Sequence, residues 1–169
     1  MNREQQKFSK IYDLYVESIY RFIFIKVNSQ AIAEDLTSEV FLKSWRVFQE
    51  KEKQKIKNPR AFLYITARHL VIDFYRTKKQ KQTVSIDDSR EIEDTGEQLE
   101  KNESIRSDMV LVHNKLKNLN QDYQNVVILR FVEELSIKEI AEVLDKSKGA
   151  TRVLLHRAMG QLKEQMSDI

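Results

Sequence analysis

Cationic side chains crowd around one short stretch near the carboxyl end of the chain, next to three polar residues, 145–147. The cations are Lys146, Lys148, Arg152, His156 and Arg157. Backbone N–H groups at a helix start and cationic side chains both bind phosphate oxygens. If a helix begins at the polar residues, this pattern predicts a site for a polyanion.

The flanking residues predict two helices that meet at this break. Ser136 and Glu139 have the spacing of a capping box, in which a hydroxyl and a carboxylate each accept a hydrogen bond from a backbone N–H. Ser147 can cap the second helix, which places Thr151, Leu155, Ala158 and Leu162 on one face and its cations on the other. Two helices joined by a three-residue turn form a helix-turn-helix pattern, which lays its second helix in a DNA major groove. A solvated basic face on an ordinary helical hairpin has the same pattern.

A second group of reactive side chains lies in the middle of the chain, where Tyr75 is accompanied by Arg68, His69 and Arg76. A tyrosine nucleophile that acts on DNA, as in a recombinase, needs cations assembled around one phosphate. These four residues lie within nine positions of one predicted helix, so their side chains point in several directions. We therefore predict no catalytic residue and no enzyme activity.

Composition indicates an all-α protein that needs no cofactor. The 169 residues include only three Gly, one Pro and no Cys, so hairpin turns are few and Cys-based sites are excluded. His69, His113 and His156 are too far apart in sequence for a local metal cluster. No apolar run approaches the roughly 20 residues needed to cross a bilayer, and the amino terminus lacks an apolar signal core. We expect a cytoplasmic protein.

Apolar side chains at helical spacing predict three helices in the first half of the chain. One stripe covers residues 8–23, and a second covers residues 32–48. Asn58 and Pro59 predict the start of the third helix, as the N-cap and the first helical residue. Residues 51–57, KEKQKIK, predict a loop.

Charge is distributed in three blocks along the chain. Residues 83–107 contain eight acidic and three basic residues, a net charge of −5, which leaves +8 on the rest of a chain whose net charge is +3. The acidic block also has few large apolar residues, so we predict a flexible linker there. The pattern predicts two small helical domains, residues 1–82 and 108–169, that bind anions and are joined by this acidic linker.

Motifs in both predicted domains resemble one known family. AEDLTSEVFLKSW (33–45) and PRAFLYITARHLVIDFYR (59–76) are similar to the second conserved region of bacterial sigma factors in the extracytoplasmic-function (ECF) group of the sigma-70 family. LKNLNQDYQNVVILRFVEELSIKEIAEVLDKSKGATRVLLHRA (116–158) resembles their fourth region. The resemblance implies a non-catalytic subunit that joins core RNA polymerase, places it on promoter DNA and helps to open the duplex.

The resemblance also implies three sets of site residues. The set expected to dock on core polymerase is Asp35, Leu36, Glu39 and Phe41, of which either Leu36 or Phe41 is expected in the core. The set expected at the −10 element is Arg60, Arg68, His69, Asp73, Tyr75 and Arg76. The aromatic residues Tyr64, Phe74 and Tyr75 are alternative core residues, and a core position is favoured for Phe74. The set expected at the −35 element is Lys148, Arg152, Val153, His156 and Arg157.

The sequence departs from the family pattern at some positions, and a second class of protein is compatible with it. His69 replaces a common Asn, and Val153 replaces a common Ser, so the preferred bases do not transfer; an exposed Val153 can contact a thymine methyl. An anti-sigma factor is a common partner in the family. The competing class is a helix-turn-helix regulator that binds duplex DNA without core polymerase.

Overall fold

The computed structural model describes residues 1–50, 56–84 and 103–167. Every regular element in these ranges is a helix, which confirms the predicted all-α class. The elements are α1 (Arg3–Val27), α2 (Gln30–Gln49), α3 (Pro59–Val84), α4 (Glu103–Leu116), α5 (Gln121–Val127), a π-helical turn (Ile128–Val132), α6 (Ile137–Leu144) and α7 (Lys148–Ser167). They form two compact units, Met1–Lys101 and Asn102–Ile169, called the first and second units below.

The break between α1 and α2 lies where the sequence predicts it. Asn28 has a left-handed backbone (φ 53°), and its N–H donates a 2.7 Å hydrogen bond to the carbonyl of Phe24, which ends α1. Asn tolerates this conformation better than most residues because its short polar side chain can bond locally. Ser29 then caps α2, since its hydroxyl oxygen accepts a hydrogen bond from the N–H of Ile32 at 3.3 Å.

The start of α3 also follows the prediction. The side-chain oxygen of Asn58 accepts a 3.2 Å hydrogen bond from the N–H of Ala61, and Pro59 occupies the first helical position. Pro is favoured at this position because its missing N–H would have no partner inside the helix. Residues 51–55 of the predicted loop lie outside the described residues.

Aromatic rings fill the interface between α1 and α2 in the first unit. Phe8 contacts Phe41, Trp45 and Phe48 at centroid distances of 6.4, 5.1 and 5.8 Å, and Tyr12 contacts Phe41 at 4.9 Å. A further edge-to-face pair joins α1 to α3. Such pairs add about 0.5–1.5 kcal/mol each to the free energy gained by burying the rings. This ring cluster holds α2 in a fixed rotation, so one face of α2 points away from the core.

Both ends of the predicted acidic linker are helical. Helix α3 continues to Val84, and α4 begins at Glu103. Residues 103–107 were expected in the linker, but they form the first residues of α4. The first buried side chain of α4 is that of Met109. The remainder of the predicted linker, residues 85–102, lies outside the described residues.

The second unit has its core among α5, α6, α7 and the π-helical turn. Its largest fully buried side chains belong to Ile128, Leu129, Leu135 and Ile140. The π-helical turn continues α5 directly, and the chain then reverses through Glu134, whose backbone is left-handed (φ 58°). This reversal brings the start of α6 back onto α7, which is the arrangement that a helix-turn-helix requires.

Candidate nucleic-acid and partner interfaces

The structure confirms the predicted helix-turn-helix and both of its caps. Ser136 Oγ accepts a hydrogen bond from the N–H of Glu139 at 3.1 Å, and Glu139 Oε1 accepts one from the N–H of Ser136 at 3.3 Å. Asp145 has a left-handed backbone (φ 53°) and ends α6. Ser147 Oγ then accepts a 3.0 Å hydrogen bond from the N–H of Ala150 at the start of α7. Three residues therefore separate the two helices.

Helix α7 has a buried face and an exposed face. Thr151 and Ala158 are completely buried, and the Thr151 hydroxyl donates to the Ser147 carbonyl at 2.8 Å. The residues expected at the −35 element are all exposed: Lys148, Arg152, Val153, His156 and Arg157. Val153, an apolar residue, is 48% exposed between these cations. This surface combines positive charge with one aliphatic contact, as a major-groove reader requires.

Two glycines leave the backbone of α7 uncovered. A Cβ atom added to Gly149 or to Gly160 would meet no heavy atom within 4 Å. Gly149 lies in the first turn, where backbone N–H groups of α7 lack partners inside the helix. A phosphate can therefore approach the backbone closely beside Lys148.

The residues expected at the −10 element divide into an exposed row and a half-buried group. His69, Asp73 and Arg76 are exposed, and their spacings of four and three place them on one face of α3. Ile72, 36% exposed, lies within the same face and was not predicted as a site residue. Its position in the spacing of the row is the signal that could have identified it.

Arg60 and Arg68 are both half-buried. Arg60 is already engaged within the protein. Arg68 differs, because its Nε atom is buried and no described group accepts a hydrogen bond from it. A buried donor without an acceptor costs about 1–3 kcal/mol. The structure therefore does not place these two arginines in the exposed row.

Tyr75 lies against α1 rather than in the exposed row. Its hydroxyl donates a short hydrogen bond to the backbone carbonyl of Lys26, in the last turn of α1. Burial raises the pKa of this hydroxyl above the ordinary value of 10.0. The hydroxyl group of Tyr75 is therefore used inside the first unit, and the expected contact between Tyr75 and DNA stays a prediction.

The other aromatic residues of α3 pack as core residues to different degrees. Tyr64 is 1% exposed, and its ring contacts Phe22 edge to face at 5.6 Å. Phe74, for which a core position was favoured, is half-buried and contacts the ring of Tyr75 at 5.4 Å. The buried ring of Tyr64 is therefore not available as a flat platform for an unstacked base.

The residues expected to dock on polymerase divide between the surface and the core. Asp35 and Glu39 are exposed, and Glu39 forms a 3.7 Å ion pair with Lys43. Leu36 and Phe41 are 9% and 5% exposed. One of the two was expected in the core, and both lie there. The Phe41 ring contacts Phe8 and Tyr12 of α1, and the expected contact of Leu36 and Phe41 with polymerase stays a prediction.

An exposed apolar residue on α2 escaped the sequence analysis. Leu42 is 50% exposed and lies seven residues after Asp35 and four before Arg46. Residues at these spacings share one face of a helix. Leu42 therefore lies in one stripe with Asp35, Glu39 and Arg46. The signal in the sequence was this spacing, which places Leu42 opposite the buried stripe.

The described residues contain neither a membrane-spanning helix nor a metal site. No helix in residues 1–50, 56–84 or 103–167 is long and apolar enough to span a membrane. In the same ranges, no group of three or more His, Cys, Asp or Glu side chains has the arrangement of a metal site.

Comparison with known proteins identifies both units. The family model for Sigma-70 region 2 matches residues 11–81, and that for Sigma-70, region 4 matches residues 109–162. The chain is 34% identical over 174 residues to the ECF RNA polymerase sigma factor BldN of Streptomyces coelicolor. That alignment covers 98% of this chain and 62% of BldN, so the chain spans less than two thirds of that relative. It is 28% identical to the ECF RNA polymerase sigma factor SigX of Bacillus subtilis, over 96% of this chain and 84% of SigX.

Solved structures share the fold at low sequence identity. CnrH, solved in complex with the cytosolic domain of CnrY, matches 97% of this chain and 90% of its own at a TM-score of 0.74 and 17% identity. RpoE from Bartonella quintana, solved in complex with the anti-sigma factor NepR, matches 96% of this chain and 98% of its own at 0.68 and 18%. The two regions occur in the expected order, and relatives align over nearly the whole chain. The chain therefore belongs to the sigma-70 family of RNA polymerase sigma factors, in the ECF group.

Proposed function

We propose that this chain binds core RNA polymerase and directs it to promoters with a −35 and a −10 element, where it assists DNA melting. It carries out no chemistry of its own, because bond formation belongs to the polymerase, and it acts in the cytoplasm, where polymerase and promoters meet. The observation that carries the proposal is the exposed face of α7, with four cations and Val153 around a capped helix start.

The −35 contacts follow from this face. Arg152 and Arg157 are the side chains that can pair with guanine O6 and N7, which discriminates against other bases by about 1–3 kcal/mol. Lys148 and the N–H groups beside Gly149 contact phosphates, which positions the helix but reads no sequence. Val153 is the residue that can contact a thymine methyl.

The −10 contacts are assigned to the exposed row of α3. His69 and Arg76 supply hydrogen-bond donors for bases and phosphates, and Asp73 accepts a hydrogen bond from an exocyclic amine or orients Arg76. Arg60 and Arg68 support this helix from half-buried positions, and Arg68 is the one with an unused donor. Residues 1–82 form the polymerase-docking and −10 domain in this proposal, and residues 108–169 form the −35 domain.

Docking on core polymerase is assigned to the exposed stripe of α2. Asp35 and Glu39 provide negative charge at one end, Arg46 provides positive charge at the other, and Leu42 lies between them. An apolar residue surrounded by charges is the usual composition of an interface anchor with a polar rim. Leu36 and Phe41 are buried on the core side of α2 and hold the helix in this orientation.

We also propose an anti-sigma factor as a protein partner. CnrH was solved with the cytosolic domain of CnrY, and RpoE from Bartonella quintana with the anti-sigma factor NepR. The shared fold supports a partner of this kind for the present chain. Pull-down with the full chain from cells that express it, followed by transcription with the captured protein added, tests this proposal.

Run-off transcription with core polymerase and a promoter library tests the main proposal. The full chain should give promoter-specific transcripts that core polymerase alone does not give. Arg157→Ala should lower transcription while binding to core polymerase stays intact. Lys117→Ala removes an equal charge at an exposed position outside α7 and should change neither quantity.

A gel shift with the same protein and core polymerase distinguishes a sigma factor from the competing helix-turn-helix regulator. A helix-turn-helix regulator would bind a duplex tightly without core polymerase, whereas a sigma factor binds weakly until polymerase is present. A gel shift that is equally strong with and without core polymerase would reject the sigma-factor proposal.

A further inference from the structure

The middle of the exposed face of α7 is formed by one row of residues. Gly149, Val153 and His156 follow one another at spacings of four and three, so they lie in line along the helix, and we call them the midline row. Arg152 lies on one side of this row, and Arg157 lies on the other. A helix in the major groove presents the middle of its exposed face to the base edges, and its flanks lie nearer to the phosphates. Val153 and His156 are therefore the side chains of the row that can reach base edges.

His156 lies close enough to the start of α7 to reach the same stretch of groove. It follows Lys148, the first residue of the helix, by eight positions, which is about 12 Å along the helix axis. The major groove is itself about 12 Å wide. Val153 and His156 are three positions apart, or about 4.5 Å along the axis, and base pairs follow one another about every 3.4 Å. The two side chains can therefore contact neighbouring base pairs.

The imidazole ring of His156 is not used inside the protein. It is exposed, and it forms no hydrogen bond or ion pair with any other described residue. Its neighbours one turn away on α7 are Arg152, Val153, Met159 and Gly160, which include one cation and no carboxylate. The ring is therefore free to bind an acceptor that comes from outside the chain.

The helices that pack against α7 lie on its other side. Thr151 and Ala158 form the buried face against α5 and α6, and they lie roughly 140–160° around the helix from His156. The charged and titratable side chains of α5, of α6 and of the turn before α7 are those of Asp122, Tyr123, Lys138, Glu139, Glu142, Asp145 and Lys146. Among the described residues, none of these groups interacts with His156. A positive charge on His156 is therefore left for a group outside the chain to neutralise.

Guanine offers the pair of acceptors that suits a protonated histidine. In the major groove guanine presents N7 and O6, which are both acceptors, whereas adenine presents an acceptor beside an amino donor. An imidazolium ring has two N–H donors and no acceptor, and hydrogen bonds from a charged donor are roughly twice as strong as neutral ones. Histidine as a residue type changes its charge between about pH 5 and pH 8. A contact with guanine should therefore favour uptake of a proton by the ring.

We propose that His156 reads a guanine of the −35 element from the midline row, next to the base pair that Val153 contacts, and that it takes up a proton when it does so. This inference rests on the proposed function, which supplies the DNA, and it makes the base preference at the −35 element depend on pH. The contact is strongest at acidic pH and weakens as the pH rises through the range in which histidine loses its proton. Uptake of one proton allows a change of at most about tenfold per pH unit.

Selection of promoters by the assembled holoenzyme at two pH values tests the proposal. A library randomised at the −35 element is bound at about pH 6 and about pH 8, and the preferred bases are read from the bound DNA. The wild type should have one position at which the preference for guanine over adenine is about three- to tenfold greater at the lower pH. Equal preferences at the two pH values overturn the inference, while the −35 selectivity and the proposed function stand. Absence of any −35 selectivity would remove the proposed function as well.

Two substitutions of His156 fix the charge of this side chain. His156→Lys is charged at both pH values and can donate to guanine O6 and N7, so it should prefer guanine equally at both. His156→Gln is neutral at both, so it should lose the preference for guanine in favour of adenine, which Gln bonds through N6 and N7. A pH-dependent preference that survives in both variants belongs to polymerase or to another residue, and contradicts the proposal.

His113 on α4 provides the matched control. It lies outside the proposed DNA contacts, so His113→Gln should keep the pH dependence of the wild type. Loss of the pH-dependent preference in His113→Gln to the same extent as in His156→Gln would count against a specific role of His156. A contact of His156 with phosphate would strengthen binding at the lower pH for every sequence alike, with no change in base preference, and would exclude the guanine contact.

Discussion

Arg130 and Leu135 are joined by a 3.0 Å hydrogen bond from the guanidinium Nη1 to the backbone carbonyl. The bond spans the reversal after the π-helical turn, and Glu134 lies inside it with a left-handed backbone. A residue with a Cβ pays roughly 1–2 kcal/mol in this conformation, whereas glycine does not. The turn before α6 is therefore under backbone strain, which the contacts around Glu134 maintain.

Replacement of Glu134 by glycine should relieve this strain. We expect Glu134→Gly to raise the free energy of unfolding of the full chain by about 0.5–1 kcal/mol, after the entropic cost of glycine is subtracted. Chemical denaturation followed by circular dichroism measures it. Glu142→Gly, at an exposed position within α6, should instead lower stability by about 1 kcal/mol. Destabilisation of similar size by both substitutions would show that position 134 carries no strain.

Replacement of either glycine of α7 by alanine should not lower stability, but only the replacement of Gly149 should affect function. Both have open space around the added methyl group, so Gly160→Ala should stabilise the helix by about 0.5–1 kcal/mol, and Gly149→Ala should do no harm. Gly149 lies at the proposed phosphate contact, so its methyl group should weaken transcription that depends on the −35 element. Thermal unfolding and run-off transcription, measured on both variants, check the pair. Full activity in Gly149→Ala would argue against a close backbone approach.

Charge reversal at Asp35 should separate docking from folding. Asp35 is exposed in the α2 stripe, so Asp35→Lys should lower co-purification with core polymerase while the melting temperature stays the same. Glu17→Lys reverses an exposed charge on α1 and serves as the control. Phe41→Ala should behave in the opposite way and cost about 3–5 kcal/mol of stability, because it removes a buried ring. Equal binding by Asp35→Lys and the wild type would remove Asp35 from the interface.

Alkaline pH should weaken the first unit through Tyr75. Burial raises the pKa of this hydroxyl in the folded state above its unfolded value, so the folded chain holds the proton more tightly. The stability that depends on this proton is complete below about pH 10 and is lost as the pH rises through the folded pKa. Tyr75→Phe should therefore lose less stability than the wild type between about pH 9 and pH 11. Parallel loss in both proteins would assign the alkaline sensitivity to other groups.

Local signals in the sequence were sufficient to locate most helix boundaries. Asn58, Ser136 and Ser147 each cap a helix as expected, because capping depends on residues only three positions apart. The same holds for the face of α7, where one buried stripe fixes which side is exposed. These features need no knowledge of distant contacts.

Features that depend on distant contacts were not accessible in this way. Phe41 faces the core because its ring packs against Phe8 and Tyr12, which lie 33 and 29 positions earlier in the chain. The bond from Tyr75 to Lys26 joins residues 49 positions apart and has no local signature. The π-helical turn likewise arises from packing rather than from the propensities of residues 128–132. The resemblance to the family indicates a region of α3 but not the orientation of each side chain.

Trp45, which stacks on Phe48 and contacts Phe8, is the only tryptophan of the chain, and it belongs to the first unit. Its fluorescence should therefore report on the rings between α1 and α2, whereas the far-ultraviolet dichroism of the helices reports on both units. Comparison of the two signals in a single titration would show whether the first and second units melt together, without labels or truncation. The chain contains its own optical reporter for this question.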